Sequence, residues 1–253
     1  MENLPQTQQK TDLQSLINSP AVRASFERVL DKQAPGFISS IMSLAKANEK
    51  LLACEPQSVL MAAAMAATLQ LPINQNLGFA YIIPYGQVAQ FQMGYKGYIQ
   101  LAQRTGKYKT INATEVYEGE LVNYNRLTGE FDLSGERTGE TIIGFAAYFR
   151  LIDGFEKSIY MTVKEMQKHG SRYSKMFNSG IWKSDFDKMA LKTILKMILS
   201  KYGVLSIEMQ KAIISDNTRV VNIDSDMPEV QAIDAIDQKV LATENTTSFK
   251  RAE

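Results

Sequence analysis

The sequence predicts an α+β fold: N-terminal helices, a β-hairpin and a small antiparallel sheet packed with helices. Three stretches support this prediction. Apolar residues recur at three- and four-residue steps over residues 13–69, which is helical spacing. Residues 110–159 are rich in strand-forming residues and contain the turns LTGE and IDGF, which favours antiparallel strands with one buried face. Residues 181–203 return to helical spacing.

The composition places the chain among ordinary globular proteins. Its 253 residues are enough for one large domain or two small ones. No apolar run approaches the roughly 18–20 residues of a membrane span, and the N-terminus lacks the apolar segment of a signal peptide. A single cysteine, Cys54, excludes an internal disulfide framework and suits a reducing compartment. We therefore expect a cytoplasmic protein that does not bind membranes.

Three helices are expected before residue 70, at residues 13–30, 36–52 and 56–69. Pro20 and Pro56 stand where proline is favoured, at the first turn of a helix. The third helix is rich in alanine, which permits close packing. Two strands, residues 79–83 and 88–92, then flank the turn PYGQ and predict a hairpin.

The helix predicted after the hairpin has an outer face with hydrogen-bond donors and no acids. That face is formed by Lys96, Gln100, Gln103 and Lys107. Before it, Gln92 has an amide that could contact phosphate or a base edge, although glutamine is also common on exposed strands.

Charge is distributed in blocks, although the net charge is only +1. No Asp or Glu occurs between Pro56 and Thr114, where the bases are Lys96, Arg104, Lys107 and Lys109. Acids dominate residues 115–157, bases dominate 164–211, and the chain is acidic again after 214. A fold that brings the two basic blocks together would form a groove for a polyanion.

The helix predicted at residues 181–203 has two stripes. One is apolar, and the other has a lysine every four residues: Lys188, Lys192 and Lys196. Ser184 or Asp185 is expected to cap its start, and Gly203 to end it. A lysine row is often a solvated face, but such faces usually mix charges. A solvated face and a phosphate-binding face both remain open at this point.

A short basic helix at residues 163–176 precedes this one and carries Arg172 and Lys175. Aromatic rings interleave with the basic segments, and most are expected in the core. Tyr173 and Trp182 are the rings that we expect to contact bases, since stacking on aromatic side chains is typical of single-strand binding.

The sequence contains little that indicates an enzyme. It lacks the G-x-x-x-x-G-K-[ST] motif of a phosphate-binding loop. Its single histidine, His169, has no cysteine nearby to indicate zinc. The acidic block could bind a metal, but its alternating placement favours a solvent face. We predict no catalytic residue and no metal site.

Several segments resemble the RecT/Redβ family of phage single-strand annealing recombinases, and the RecT branch in particular. They are the Ala-rich helix, LPIN, YIIPYG, QFQMGYKGYIQLA and the W-K-S…K-M…K…K-Y-G helix. The resemblance covers roughly residues 25–205, and GYKGYIQLAQRTGKY is its most specific part.

The resemblance implies an oligomeric DNA-binding core that forms rings or helical filaments and pairs complementary strands without ATP. It places a core at residues 25–214, after an N-terminal arm (1–24) that is partly disordered or links subunits. The composition after residue 214, with more acids and without aromatics until near the end, predicts an acidic, mostly disordered tail (215–253) with a short helix at 230–241, and the resemblance implies that this tail binds partners. Those partners would be an exonuclease and the single-strand-binding protein of the bacterial host, with a phage or prophage as the source.

Carried over by position, the resemblance assigns a set of residues to the DNA groove. Those are Lys96, Lys107, Arg172, Lys175, Lys188, Lys192 and Lys196. We add Gln92, Arg104, Lys109, Tyr173 and Trp182 as expected DNA contacts. No cofactor is expected, apart from Mg²⁺ as a counterion of the DNA.

Two other functions remain open. A plain single-strand DNA-binding protein would have the same cationic groove without annealing activity. A metal-dependent nucleic-acid enzyme would use the acidic block instead.

Overall fold

The predicted α+β fold is confirmed: small antiparallel sheets pack against helices. The computed structural model describes residues 12–174, 176–222 and 229–232. The described residues fall into two compact units. Of these residues, the first unit contains 12–92, 220–222 and 229–230, and the second contains 93–174, 176–219 and 231–232.

The first unit consists mainly of helices followed by a hairpin. The helices are α1 (Leu13–Ile17), α2 (Pro20–Leu30), α3 (Ala34–Lys46), α4 (Glu49–Leu52) and α5 (Pro56–Thr68), with 3₁₀ turns at Asp31–Gln33 and Gln75–Leu77. The hairpin pairs β1 (Ala80–Tyr85) with β2 (Val88–Met93).

Two of the three predicted N-terminal helices are each divided by a cap. Ser19 begins α2, and its side chain accepts the Val22 N–H. Asn48 begins α4, and its side chain accepts the Leu51 N–H. Asn and Ser are favoured at such positions because their side chains satisfy backbone donors that a helix start leaves unpaired.

Helix α5 is tied to the hairpin by packing and by a buried hydroxyl. Four of its alanines, Ala62, Ala63, Ala66 and Ala67, are buried. The Ser58 hydroxyl donates to the Glu55 carbonyl at 2.7 Å and accepts the Ala89 N–H at 2.9 Å. The alanine row is therefore a packing surface, as the sequence predicts.

The second unit alternates helices and strands. Its elements are α6 (Tyr95–Arg104), β3 (Tyr108–Tyr117), β4 (Asn123–Tyr124), β5 (Phe131–Asp132), β6 (Ile142–Leu151), β7 (Glu156–Thr162), α7 (Val163–Tyr173), α8 (Gly180–Ser184), α9 (Phe186–Tyr202) and α10 (Ile207–Asn217). Two short strands follow in the chain, β8 (Thr218–Asn222) and β9 (Glu229–Ala232), and the division into units falls within each of them.

A three-stranded antiparallel sheet of order β3-β6-β7 forms the centre of this unit. Helix α9 packs against all three strands and also contacts α6 and α8. The ring of Phe145 on β6 contacts that of Phe186 at the start of α9, with centroids 5.9 Å apart. Ala146, the next residue, instead clusters with Val116 and Tyr160. Strand β6 is therefore largely buried on both faces.

The helix predicted at 181–203 is two helices, α8 and α9. Asp185 separates them because its backbone is not helical (φ −152°, ψ 69°), and its side chain accepts the Lys188 N–H, which confirms the predicted cap. The predicted end at Gly203 is confirmed. A Cβ at this position would lie 2.5 Å from the Tyr108 hydroxyl, which explains why glycine suits it.

The region beyond α9 differs in part from the expected tail. Helix α10 continues to Asn217, so residues 215–217 are helical. Of the short helix expected at 230–241, residues 230–232 belong to β9 and the others lie outside the described residues. Residues 1–11 and the rest of the tail, 223–228 and 233–253, also lie outside them. In the described part of the chain, no helix is both long and apolar enough to cross a bilayer.

Candidate nucleic-acid interface

Basic side chains lie exposed along α6 and the beginning of β3. Helix α6 buries Tyr98, Leu101 and Ala102, so its opposite face is turned to solvent. The exposed bases of this segment are Lys96, Arg104, Lys107 and Lys109. The segment lies in the stretch that contains no Asp or Glu, so no acid adjacent in sequence offsets these charges.

The turn from α6 to β3 is fixed by two local features. Gly106 has φ +65°, a left-handed conformation that glycine adopts without strain. The Thr105 hydroxyl accepts the Lys107 N–H at 3.2 Å. The turn therefore carries Lys107 on a defined backbone between the helix and the strand.

Helix α7 has a basic and an aromatic residue at its C-terminal end. It begins with a capping box, in which Thr162 and Glu165 exchange hydrogen bonds. These hydrogen bonds from Thr162 lower the pKa of Glu165. At the other end, Arg172 is exposed and its guanidinium lies 5.2 Å from the centroid of the half-buried Tyr173 ring. Lys175, which follows, lies outside the described residues.

Trp182 lies in an aromatic cluster rather than on the surface. It is 8% exposed, and its ring is 5.4 Å from that of Phe177 and 5.6 Å from that of Phe186. Gly170 of α7 completes the packing, since a Cβ there would lie 2.6 Å from the Phe177 ring. The indole is therefore nearly buried, and its contact with Phe186 packs α8 against α9.

The lysine stripe of α9 runs from solvent into the interior. The Lys188 side chain is 80% exposed and forms an ion pair with Asp185. The Lys192 side chain is 10% exposed and the Lys196 side chain 22% exposed. The stripe is therefore exposed at Lys188 and largely buried at Lys192 and Lys196, and is not the uniformly exposed row that the spacing suggests.

A buried carboxylate, Asp216 of α10, compensates the charges of the two largely buried lysines. It is 4% exposed, with the Lys192 Nζ 3.4 Å from Oδ1 and the Lys196 Nζ 2.9 Å from Oδ2. Oδ1 also accepts the Met93 N–H at 3.0 Å, and Oδ2 accepts the Tyr98 hydroxyl at 2.9 Å. We call these five residues the Asp216 cluster.

The pKa shifts within the Asp216 cluster follow from burial and charge. Burial acts to raise the pKa of Asp216, but Lys192 and Lys196 overcome it and hold that pKa well below its usual range. Burial lowers the pKa of Lys192, and the charge of Asp216 opposes the shift. Burial and the Asp216 charge raise the pKa of Tyr98 well above its usual value, so its hydroxyl remains a donor.

Sequence reasoning missed Asp216 because its position assigns it to the acidic tail. One signal was available in the sequence. Lys192 and Lys196 lie on the largely apolar α9 without an acid four residues away, and a buried charge requires a partner, so an acid from elsewhere in the chain could be expected. Gln92, the remaining expected contact, is half-buried at the end of β2 in the first unit. Within the described ranges, no three His, Cys, Asp or Glu side chains are grouped as metal ligands.

A family model and two known proteins each match most of this chain. The RecT family model matches residues 35–231. Protein RecT of Escherichia coli (strain K12) is 28% identical over 237 residues, which cover 87% of this chain and 86% of that protein. Uncharacterized protein YqaK of Bacillus subtilis (strain 168) is 50% identical over 224 residues, or 88% of this chain and 78% of that protein. The chain belongs to the RecT family, and this membership supports DNA binding and single-strand annealing in recombination.

Proposed function

We propose that this protein anneals complementary DNA strands without ATP and without covalent chemistry. The observation that carries the proposal is the exposed basic segment of α6 and β3, which lies within the span matched by the RecT family model. The absence of a phosphate-binding loop motif from the sequence agrees with annealing that does not consume a nucleotide.

The DNA backbone is bound by basic side chains of the second unit. The exposed residues that we assign to this contact are Lys96, Arg104, Lys107, Lys109, Arg172 and Lys188, together with the partly exposed Lys196. Contacts to phosphate position a strand without reading its sequence, so binding has little sequence preference. Lys175 and Gln92 are retained as further contacts, and Mg²⁺ acts as a counterion of the DNA.

Annealing follows if the first strand is held extended with its base edges open. A second strand then pairs with those edges, and base pairing supplies the recognition. Tyr173 is the aromatic residue that stacks on a base, while Trp182 and Lys192 support the interface from the interior. The annealed duplex intermediate gains a second row of phosphates and is held more firmly than the single strand.

The protein works as an oligomer that forms rings or helical filaments on DNA, with residues 1–24 linking subunits. The acidic segment from residue 218 onward recruits a partner exonuclease and the host single-strand-binding protein. The setting is the cytoplasm of a bacterium that carries a phage or prophage.

A strand-annealing assay tests the proposal. Complementary oligonucleotides that carry a fluorophore and a quencher are mixed with the protein, without nucleotide and with excess chelator. We expect rapid pairing under both conditions and no cleavage products. Binding of each strand without faster pairing would instead favour a plain single-strand DNA-binding protein. Cleavage that the chelator abolishes would favour a metal-dependent enzyme.

A further inference from the structure

Asp216 receives a hydrogen bond or ion pair from three separate parts of the second unit. The donors are the N–H of Met93, the first residue of the second unit, the Tyr98 hydroxyl on α6, and the Nζ atoms of Lys192 and Lys196 on α9. Each carboxylate oxygen therefore holds one lysine and one neutral donor. This arrangement fixes both lysines relative to α6, which carries part of the proposed phosphate-binding face.

The two lysines differ in what they can reach. Lys192 is the more enclosed, and its ammonium group points into the cluster. Lys196 is about twice as exposed in its side chain, 22% against 10%, and lies one turn further along α9. A lysine has many rotamers in water, and a fixed counter-charge removes most of that freedom before a ligand arrives.

The position of the carboxylate is set by α10 itself. Helix α10 packs on α6 and buries Met209 and Ala212 completely. Asp216 stands four residues beyond Ala212, so it follows this buried face along the helix. The geometry of Lys196 thus depends on a helix outside the region where sequence alone suggests DNA contacts.

We propose that Asp216 is a positioning residue of the DNA interface, which orients Lys196 towards the phosphates of the bound strand. The proposal rests on the proposed function and deepens it. Asp216 does not touch DNA. Its carboxylate neutralises charge beneath the surface and holds the Lys196 ammonium at the edge of the groove.

The same experiment can also reveal the opposite role for this carboxylate, which is competition with DNA. If Asp216 occupied the place of a DNA phosphate, it would compete with DNA for both lysines. Removing its charge would then strengthen binding and add phosphate contacts. If Asp216 positions Lys196, removing its charge weakens DNA binding and removes one phosphate contact.

Two variants of the full-length chain separate these roles. D216N removes the charge and keeps the side-chain shape. D216N/K192M also removes the buried lysine charge, so that no ammonium is left in the interior beside a neutral partner. D153N is the matched control: it makes the same change in net charge at an exposed turn, and asparagine can still accept the Phe155 N–H.

The measurement is the affinity for a labelled single-stranded oligonucleotide over a range of salt concentrations. We expect D216N and the double variant to bind about tenfold more weakly, as for loss of one charged hydrogen bond. Their plots of log affinity against log salt should be flatter by about 0.7, the contribution of one phosphate contact. D153N should keep the slope of the natural protein. A purely structural role would alter the melting temperature without altering this slope.

Folded D216N/K192M with unchanged or tighter binding and an unchanged or steeper slope would overturn the proposal. Loss of folding in both variants would also overturn it, since Asp216 would then be structural alone. Lys107→Ala distinguishes this failure from failure of the proposed function. If Lys107→Ala weakens binding and the double variant does not, only the positioning role is wrong. If neither weakens binding, the DNA interface itself is misplaced.

Discussion

The carboxylate of Asp216 lies 2.9 Å from the Nζ of Lys196 and joins the last turn of α10 to the middle of α9. The two residues are separated by 20 positions in the chain. The contact is largely buried, so it is weakly screened by salt and expensive to break on one side only. Helix α10 is consequently part of the folded second unit and not the beginning of the tail.

Replacing Lys192 should destabilise the fold more than replacing Lys188. Lys192→Ala removes one partner of a buried ion pair, which costs about 3 kcal/mol in the free energy of unfolding. Lys188→Ala removes an exposed pair with Asp185, for which about 0–1 kcal/mol is usual. Urea denaturation of both variants measures the difference. Equal midpoints would show that the Lys192 ammonium is effectively solvated.

Truncation should reveal where the folded core ends. A chain that ends at Ile214 lacks Asp216 and leaves two lysines without their carboxylate, whereas a chain that ends at Asn217 keeps it. We expect the shorter chain to melt about 6–12 °C below the longer one, which corresponds to a loss of about 3 kcal/mol. Calorimetry of the two chains makes the comparison. Coincident melting would contradict a stabilising role for the end of α10.

Protonation of Asp216 should lower the stability of the fold at acidic pH. Its pKa is lower in the folded state than the value of about 3.9 for an unfolded aspartate, so its contribution is complete above about pH 4. The contribution is lost as the pH falls further towards the folded pKa. Thermal melts between pH 2 and pH 6 should therefore decline more steeply for the natural protein than for D216N. Parallel curves would show that other carboxylates govern acid unfolding.

Trp182 should act as part of the core. Trp182→Phe should retain folding and DNA binding, whereas Trp182→Ala should lower the free energy of unfolding by about 3–5 kcal/mol because it empties the space between Phe177 and Phe186. The chain has one tryptophan, so its fluorescence reports on this position alone. We expect little change in emission when a strand binds. Strong quenching would indicate that a base stacks on the indole.

Local patterns in the sequence predicted most of the elements. Spacing and capping residues located α5, the hairpin and the end of α9, because each depends on neighbours in the chain. The sequence predicted a cap at Ser184 or Asp185, and Asp185 is the cap of α9, but it did not predict that residues 181–184 would belong to a separate helix, α8.

The burial of Lys192 and Trp182 could not be predicted from periodicity. A lysine can recur every four residues on an exposed or a buried helix face, and the burial of Lys192 depends on distant elements, among them α6, which packs on α9, and Asp216 of α10. The rings that enclose Trp182, Phe177 and Phe186, are near it in the sequence. The loop that brings Phe177 against Trp182 has no regular pattern from which this contact could be predicted. The charge distribution predicted a basic surface on α6, and the basic residues of this helix are exposed.

The annealing mechanism also predicts how the protein assembles on different DNA substrates. A single strand is held through its phosphates alone, so its complexes should be short or irregular. Adding the complementary strand contributes base stacking and a second row of phosphates, which should lengthen and order the subunit array. A pre-formed duplex should bind weakly, because a groove for extended strands requires the duplex to unstack.

Filament length by electron microscopy at fixed salt tests this account most directly. The three samples are one strand alone, two complementary strands added in sequence, and the same strands annealed beforehand. We expect long helical assemblies only when the strands are added in sequence. Assemblies of equal length on sequentially added strands and on pre-annealed duplex would contradict annealing and leave a general DNA-coating protein.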